Sequence, residues 1–258
     1  MDIVKSADSR YEEYEDLLLK RDRLNKEAGQ IWTAYLQMFG ALITENYEEK
    51  LECVKCKKTI AFYQQALNRG GGVDASAMER YLERELAEYR AELRRMLREN
   101  EAANSAGTST PYEVERSKTL YRRLAKLLHP DINPETDRSE TLRELWNRIV
   151  IAYHHNDVRE LAELEVLARR ALKEAGVDAA GVVIPDIGER IDAVKAEIER
   201  ITHSEPYTLR SLIEDEAAAE KKKAELREEL EAYQKYRGEL KSVMLQMLRS
   251  GGLKIYVK

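Results

Sequence analysis

The chain contains 258 residues, of which 43 are Lys or Arg and 48 are Asp or Glu, so its formal net charge at pH 7 is −5. Charged residues make up 35% of the sequence, above the roughly 25% of an average globular domain. Together with a mean hydropathy of −0.61, this favours long helices lined by solvent. The acidic balance argues against nucleic-acid binding. No apolar run approaches the roughly 20 residues that span a bilayer, and the N-terminus lacks the features of a secretory signal, so we expect no membrane association and a cytoplasmic location.

Residues 1–103 carry an almost continuous helical pattern, since the first proline of the chain is Pro111. Apolar residues recur at steps of three and four between positions 14 and 38, a heptad pattern in which Arg21 is the one polar member. We expect this first helix to close at Gly40. With two further helices after it, residues 1–103 are predicted to form a helical hairpin or a three-helix bundle.

The second of these helices contains the chain's two cysteines, Cys53 and Cys56, on its apolar face and stops at Gly70. The third begins at the capping pair Ser76 and Glu79. Structural zinc needs four ligands, whereas only two thiols are present, so buried structural cysteines without a metal are favoured. A redox role or a zinc ion shared between two chains is the alternative.

Three more segments follow the polar linker at residues 101–111. Residues 112–175 are predicted to form a second domain of short helices, separated by a linker at 176–188 from a coiled-coil hairpin at 186–250, with 251–258 as a tail. The expected fold class is therefore all-α, with long helical hairpins or coiled coils flanking a short helical hairpin.

The most informative segment is the predicted helix at 112–128, which has five cations and two anions and so a net charge of +3 within an acidic protein. Its leucines occupy one face, while Lys118, Arg122 and Lys126 recur every four residues on the opposite face. A positive stripe of this kind attracts an acidic partner. The loop after it, His129–Asp131, contains Pro130, which fixes the backbone, and we expect all three side chains to face solvent at the tip of a hairpin.

In this segment the sequence resembles the J-domain of DnaJ-type co-chaperones. The signature of that family is an HPD tripeptide between a basic helix of the form YRKLA and a later helix ending in EAY-like residues. The chain matches it at Tyr121–Ala125, His129–Asp131, Asn133–Pro134 and Ala152–Tyr153, with Trp146 at the expected core position. The match covers roughly 45 residues, and the usual short first helix of the family is not evident before the basic helix.

The resemblance implies docking onto a DnaK-type heat-shock chaperone and stimulation of ATP hydrolysis in that partner. By the same resemblance, the trigger would consist of His129, Pro130 and Asp131. The electrostatic docking surface would consist of Lys118, Arg122, Arg123 and Lys126. Since the J-domain itself has no catalytic activity, the protein is expected to be a non-enzyme without a cofactor. The coiled-coil arms would then bind a client protein or a second copy of the chain as a homodimer.

A different class of function is also open from the sequence. The protein could be a structural coiled-coil scaffold or adaptor in which the J-like hairpin is a vestigial packing module. Asp131→Asn would then leave all binding unchanged, whereas substitutions at Leu226 or Leu230 on the last heptad pattern would abolish it.

Overall fold

A computed structural model describes residues 2–107, 109–176, 186–250 and 252–256 of the chain. The fold is all-α, as predicted: 86% of it is helical, and the described residues contain ten α-helices, one 3-10 turn at Tyr207–Leu209 and two three-residue strands. None of these helices has the length and apolar character needed to cross a membrane. In chain order the elements are α1 (Asp2–Asn68), β1 (Gly72–Asp74), α2 (Ala75–Glu85), α3 (Ala87–Ser105), α4 (Pro111–Leu128), α5 (Glu135–Arg138), α6 (Glu140–His154), α7 (Val158–Glu174), α8 (Ile187–His203), α9 (Arg210–Glu214), α10 (Glu216–Ser250) and β2 (Lys254–Tyr256).

The chain divides into two compact units, and each is assembled from distant parts of the sequence. Unit 1 contains Met1–Gln30 and Gly107–Thr208, and unit 2 contains Ile31–Ala106 and Leu209–Lys258. This grouping differs from the predicted division at residues 103, 112, 175 and 186. The reason is that a heptad pattern marks a face to be buried but does not say which distant helix buries it.

The expectation that Gly40 closes the first helix is wrong, because α1 continues through it to Asn68. The glycine instead permits a close approach of α3. The side-chain amide of Asn100 donates to the Gly40 carbonyl at 2.9 Å and to the Thr44 hydroxyl at 2.6 Å. A Cβ at position 40 would clash with the side-chain amide of Asn100, so any larger residue here requires Asn100 to move.

The predicted third helix is divided in two, and its cap lies two residues earlier than expected. Asp74, not Ser76, caps α2 by accepting hydrogen bonds from the Ser76 and Ala77 amides. Leu86 interrupts the helix between α2 and α3 and is fully buried. Part of the predicted tail is also ordered, since β2 pairs in parallel with β1 in the register Val73 to Ile255.

The two helices of the predicted C-terminal hairpin at 186–250 belong to different units. In unit 1, Ile191 and Val194 of α8 pack with Tyr14 and Leu18 of α1. In unit 2, Leu226 of α10 packs with residues of the later part of α1. Most of the predicted linker at 176–188 lies outside the described residues.

The three helices predicted within residues 112–175 are present as α4, α6 and α7. Thr110 and Glu113 form a reciprocal capping box at the start of α4, and Asp157 caps α7 as predicted by accepting from the Glu160 amide at 2.9 Å. Their shared core consists of Leu120, Tyr121, Leu124, Ala125, Leu128, Leu142, Leu145, Trp146, Ile149, Ala152, Tyr153, Leu161, Leu164, Ala168 and Leu172. This core supports the loop between α4 and α5.

Candidate functional site

Aromatic packing between α4 and α6 fixes the base of the loop that carries the HPD tripeptide. The rings of Tyr121 and Tyr153 stack with centroids 4.0 Å apart, and Trp146 lies 5.8 Å from Tyr121. Trp146 also receives the His129 ring in an edge contact at 4.9 Å. The residues that the sequence assigned to the hairpin core therefore hold the first loop residue in place.

Backbone hydrogen bonds make the loop a tight, defined turn. The His129 carbonyl accepts from the amides of Ile132 at 2.9 Å and Asn133 at 2.7 Å. The side-chain amide of Asn133 donates back to the Leu127 carbonyl at 2.9 Å. His129 Nδ1 accepts from the Asp131 amide at 3.1 Å. The turn thus aims His129 Nε2 and the Asp131 carboxylate in fixed directions.

The expectation that all three loop side chains face solvent is wrong for His129, of which only 3% is exposed. The first part of α1 covers it: Arg21 Nη2 lies 3.1 Å from His129 Nε2, and Asp22 Oδ2 lies 3.5 Å from the same atom. Pro130 and Asp131 are half-buried. The loop tip is therefore a contact surface that is already in use within unit 1.

Arg21 is the centre of the charged contacts around this loop. Its guanidinium donates to Asp131 Oδ2 at 3.3 Å and to Asp22 Oδ1 at 2.9 Å, and lies 3.6 Å from Glu197 of α8. The Arg21 side chain is only 16% exposed, so these pairs are shielded from solvent more than ordinary surface pairs. The sequence carried one signal for this residue, since Arg21 is the polar member of an otherwise apolar heptad pattern.

Asp22 joins α1 to both α4 and the loop. Its carboxylate accepts from the Tyr121 hydroxyl at 2.7 Å, in addition to its contacts with Arg21 and His129. Burial alone would raise the pKa of Asp22, but the contacts with His129, Arg21 and Tyr121 outweigh it and lower the pKa below the usual 3.8. Burial, with the charge of Asp22, raises the pKa of Tyr121, so this tyrosine remains a hydrogen-bond donor.

The cations predicted to form the docking surface are all exposed, and each has a carboxylate nearby. Lys118 lies 3.4 Å from Glu115 on its own helix, and Arg123 donates to Glu165 of α7 at 2.7 Å. These two pairs lie within the α4, α6 and α7 assembly.

The other two predicted docking cations pair with α1. Arg122 donates to Asp16 at 3.2 Å, and Lys126 Nζ lies 2.8 Å from Glu15 Oε1. Four charged residues of α1 that contact side chains of α4 or the loop are called the α1 clasp below; they are Glu15, Asp16, Arg21 and Asp22.

Lys26 fastens α1 to the same hairpin one turn further along. Its ammonium donates to Asn156 Oδ1 at 2.5 Å and to Ser117 Oγ at 3.3 Å, and lies 3.8 Å from the centroid of the Tyr153 ring. Burial, with a smaller effect from Lys118, lowers the pKa of Lys26 to about 8. Burial therefore disfavours the charged form of Lys26 at this position.

A cleft of about 320 Å³ opens beside these contacts, lined among others by Arg21, Asp22, His129, Asp131 and Trp146. Arg21, Asp22, His129 and Asp131 in this lining already contact one another. Within the described residues, no group of three or more His, Cys, Asp or Glu side chains is arranged to hold a metal ion.

Cys53 and Cys56 are both buried within α1 in unit 2, as the sequence predicted. Cys53 Sγ donates to the Tyr233 carbonyl of α10 at 3.4 Å. Burial raises the pKa of both thiols, which favours the unreactive protonated form.

Comparison with protein-family models, curated proteins and solved structures finds no match to this chain. The resemblance to the J-domain therefore depends on the residues of α4, the following loop and α6.

Proposed function

We propose that the protein is a J-domain-like co-chaperone or adaptor that docks a DnaK-type heat-shock chaperone through α4 and the loop at His129–Asp131 and stimulates its ATPase. The observation that carries the proposal is the charge complementarity already present on this face. Arg122 and Lys126 each pair with a carboxylate of a facing helix, while Asp131 pairs with a guanidinium. A face with this pattern suits an acidic protein surface that also presents a cation opposite Asp131.

The proposed division of labour follows from burial and charge. The exposed cations of α4 would attract and orient the partner, and the rigid turn would present Asp131 to it. ATP hydrolysis would take place in the partner, so that this chain supplies contacts and no catalytic group. The helices of unit 2 would bind a client protein or a second copy of the chain.

The test is ATP turnover by a cognate DnaK-type chaperone, measured in single-turnover mode with the full-length protein added. We expect the wild type to increase the rate of hydrolysis and Asp131→Asn to abolish the increase. Asp137→Asn is the matched control, since it makes the same change of charge at an exposed position of α5, six residues after Asp131. The proposal would be refuted if no concentration of the wild type stimulated hydrolysis and substitutions in the α1 clasp that uncover the loop did not restore stimulation.

The burial of His129 favours a second candidate, a structural scaffold or adaptor in which the hairpin is a packing module. In that case Asp131→Asn would leave partner binding unchanged. Leu226→Ala in the core of unit 2 would abolish it, because Leu226 packs against Phe39 of α1. Pull-down of a binding partner with both variants separates the two candidates.

A further inference from the structure

We propose that the first part of α1 is an intramolecular competitor for the partner-binding face, and that an acidic partner binds only after the α1 clasp has separated from α4 and the loop. The inference deepens the proposed function and rests on it. It assigns a regulatory role to four residues outside the J-like segment, namely Glu15, Asp16, Arg21 and Asp22.

The α1 clasp already occupies two of the proposed docking cations. Glu15 and Asp16 place carboxylates on Lys126 and Arg122, at 2.8 Å and 3.2 Å. These are the groups that an acidic partner surface would have to supply. A carboxylate of α1 and an acidic group of the partner cannot both occupy the same position on Lys126 or Arg122. The partner and α1 therefore compete for these cations.

Burial of the loop also limits partner access. With 3% of His129 exposed, a partner cannot touch its side chain while α1 stays in place. Arg21 also covers the loop by pairing with Asp131 at 3.3 Å. Any mechanism that uses the His129 and Asp131 side chains together therefore needs Arg21 and Asp22 to move away.

The contacts of α1 with α4 and with α8 differ in how readily a competing surface displaces them. Toward α4, the clasp uses ion pairs and hydrogen bonds, and the Arg122–Asp16 pair is 60% and 70% exposed. A pair this exposed is weak, and salt or a competing charged surface displaces it readily, whereas the side chains of Glu15, Arg21 and Asp22 are mostly shielded. Toward α8, α1 packs apolar residues that include Tyr14 and Leu18, in a cluster that also contains Ile132 just after the loop, whereas toward the core of α4, α6 and α7 it contributes Leu19. Separation from α4 would therefore leave α1 with α8 as its partner, held also by the Lys195–Glu13 ion pair at 2.7 Å.

The experiment compares an opened variant with a control of equal charge change. The opened variant is Glu15→Gln/Asp16→Asn, which keeps the size of both side chains and leaves every proposed docking residue intact. The control is Glu12→Gln/Glu83→Gln, two exposed carboxylates away from the clasp contacts.

The first readout does not depend on a partner. The rate at which diethyl pyrocarbonate modifies His129 is followed by mass spectrometry, with the exposed His203 as the internal reference. We expect the opened variant to react about tenfold faster at His129, because loss of two ion pairs increases the population of the open form. The control should react like the wild type, and added salt should increase the rate for the wild type.

The second readout is the concentration of protein that gives half-maximal stimulation of the DnaK-type ATPase. We expect this concentration to fall about tenfold in the opened variant, with the maximal rate unchanged, because less of the protein is in the closed form. Asp131→Asn in the opened variant should abolish stimulation. The single variant Asp16→Asn, at a site where the carboxylate is 70% exposed and the fold is not at risk, should lie between the wild type and the opened variant.

Three results would overturn the inference, and they differ from one another. Stimulation by the wild type and the opened variant at equal concentrations would leave the proposed function standing and remove the competitor. Faster modification of His129 without stimulation by any variant would remove both proposals. An unchanged rate of modification in the opened variant would show that its two ion pairs do not keep the loop covered, which also overturns the inference.

Discussion

Replacement of Asp22 by asparagine tests the electrostatic core of unit 1. The change keeps the shape of the side chain and removes its charge, so that the bonds from Tyr121 at 2.7 Å and Arg21 at 2.9 Å lose their charge-assisted character. A hydrogen bond to a charged group contributes about 1 kcal/mol more than a neutral one, so we expect Asp22→Asn to lower the free energy of unfolding by about 2 kcal/mol at pH 7.

The assay is urea unfolding followed by tryptophan fluorescence in a Trp32→Phe background. Trp146 is then the only tryptophan of the chain, and it lies in the core of unit 1 beside His129. The loss should also depend on pH. Because the folded-state pKa of Asp22 is below its usual value of 3.8, the stabilisation is complete above that pH and is lost as the pH falls further. The gap between wild type and variant should therefore close in acid.

Asp16→Asn provides the comparison, since it removes a carboxylate from the same helix at a site where both partners are more than half exposed. Its cost should be below about 0.5 kcal/mol. Equal costs for Asp22→Asn and Asp16→Asn, or a cost of Asp22→Asn that does not change between pH 7 and pH 3, would refute the reasoning.

Two further predictions concern residues at which helix packing decides the outcome. Gly40→Ala should lower Tm by about 3 °C in differential scanning calorimetry, despite the better helix propensity of alanine, because the new Cβ would displace Asn100. Gly29→Ala should raise Tm by a similar amount, because its new Cβ would meet no neighbouring helix or side chain within 4 Å. A stabilising Gly40→Ala would contradict the packing argument. Stability of the wild type should rise by about 2 kcal/mol between pH 8 and 10.5, since over this range the folded state has lost the proton of Lys26 while the unfolded state still binds it. Lys26→Met should lack this rise in urea unfolding at the two pH values, and an equal rise in both proteins would show that another group causes it.

The J-like segment could be predicted from the sequence because its signals are local. The cap at Asp157 and the proline after α4 act within a few residues of themselves. The leucines of α4 and the aromatic residues of α6 have the helical period that places them on one face. The elements α4, α6 and α7 were therefore found nearly at their observed bounds.

The cover on the loop could not be predicted in this way. The apolar spacing in α1 identifies a face that is buried, but it does not identify the helix that buries it. It therefore does not specify that Tyr14 and Leu18 contact α8 while Arg21 contacts the loop. Gly40 was misread for a related reason, since a glycine that ends a helix and a glycine that admits Asn100 look alike in sequence. The lone arginine in an apolar pattern was the available signal, because a buried guanidinium needs carboxylates close to it.

The packing of α1 on α8 also affects the order in which the protein folds during synthesis. Contacts among α4, α6 and α7 join residues close in sequence and can form as soon as that segment leaves the ribosome. The roughly 180 residues that separate Leu18 from Ile198 take about 10 to 40 s to translate, and during this time the apolar face of α1 has no α8 to cover it. The nascent chain thus exposes a sticky surface of its own until translation reaches α8.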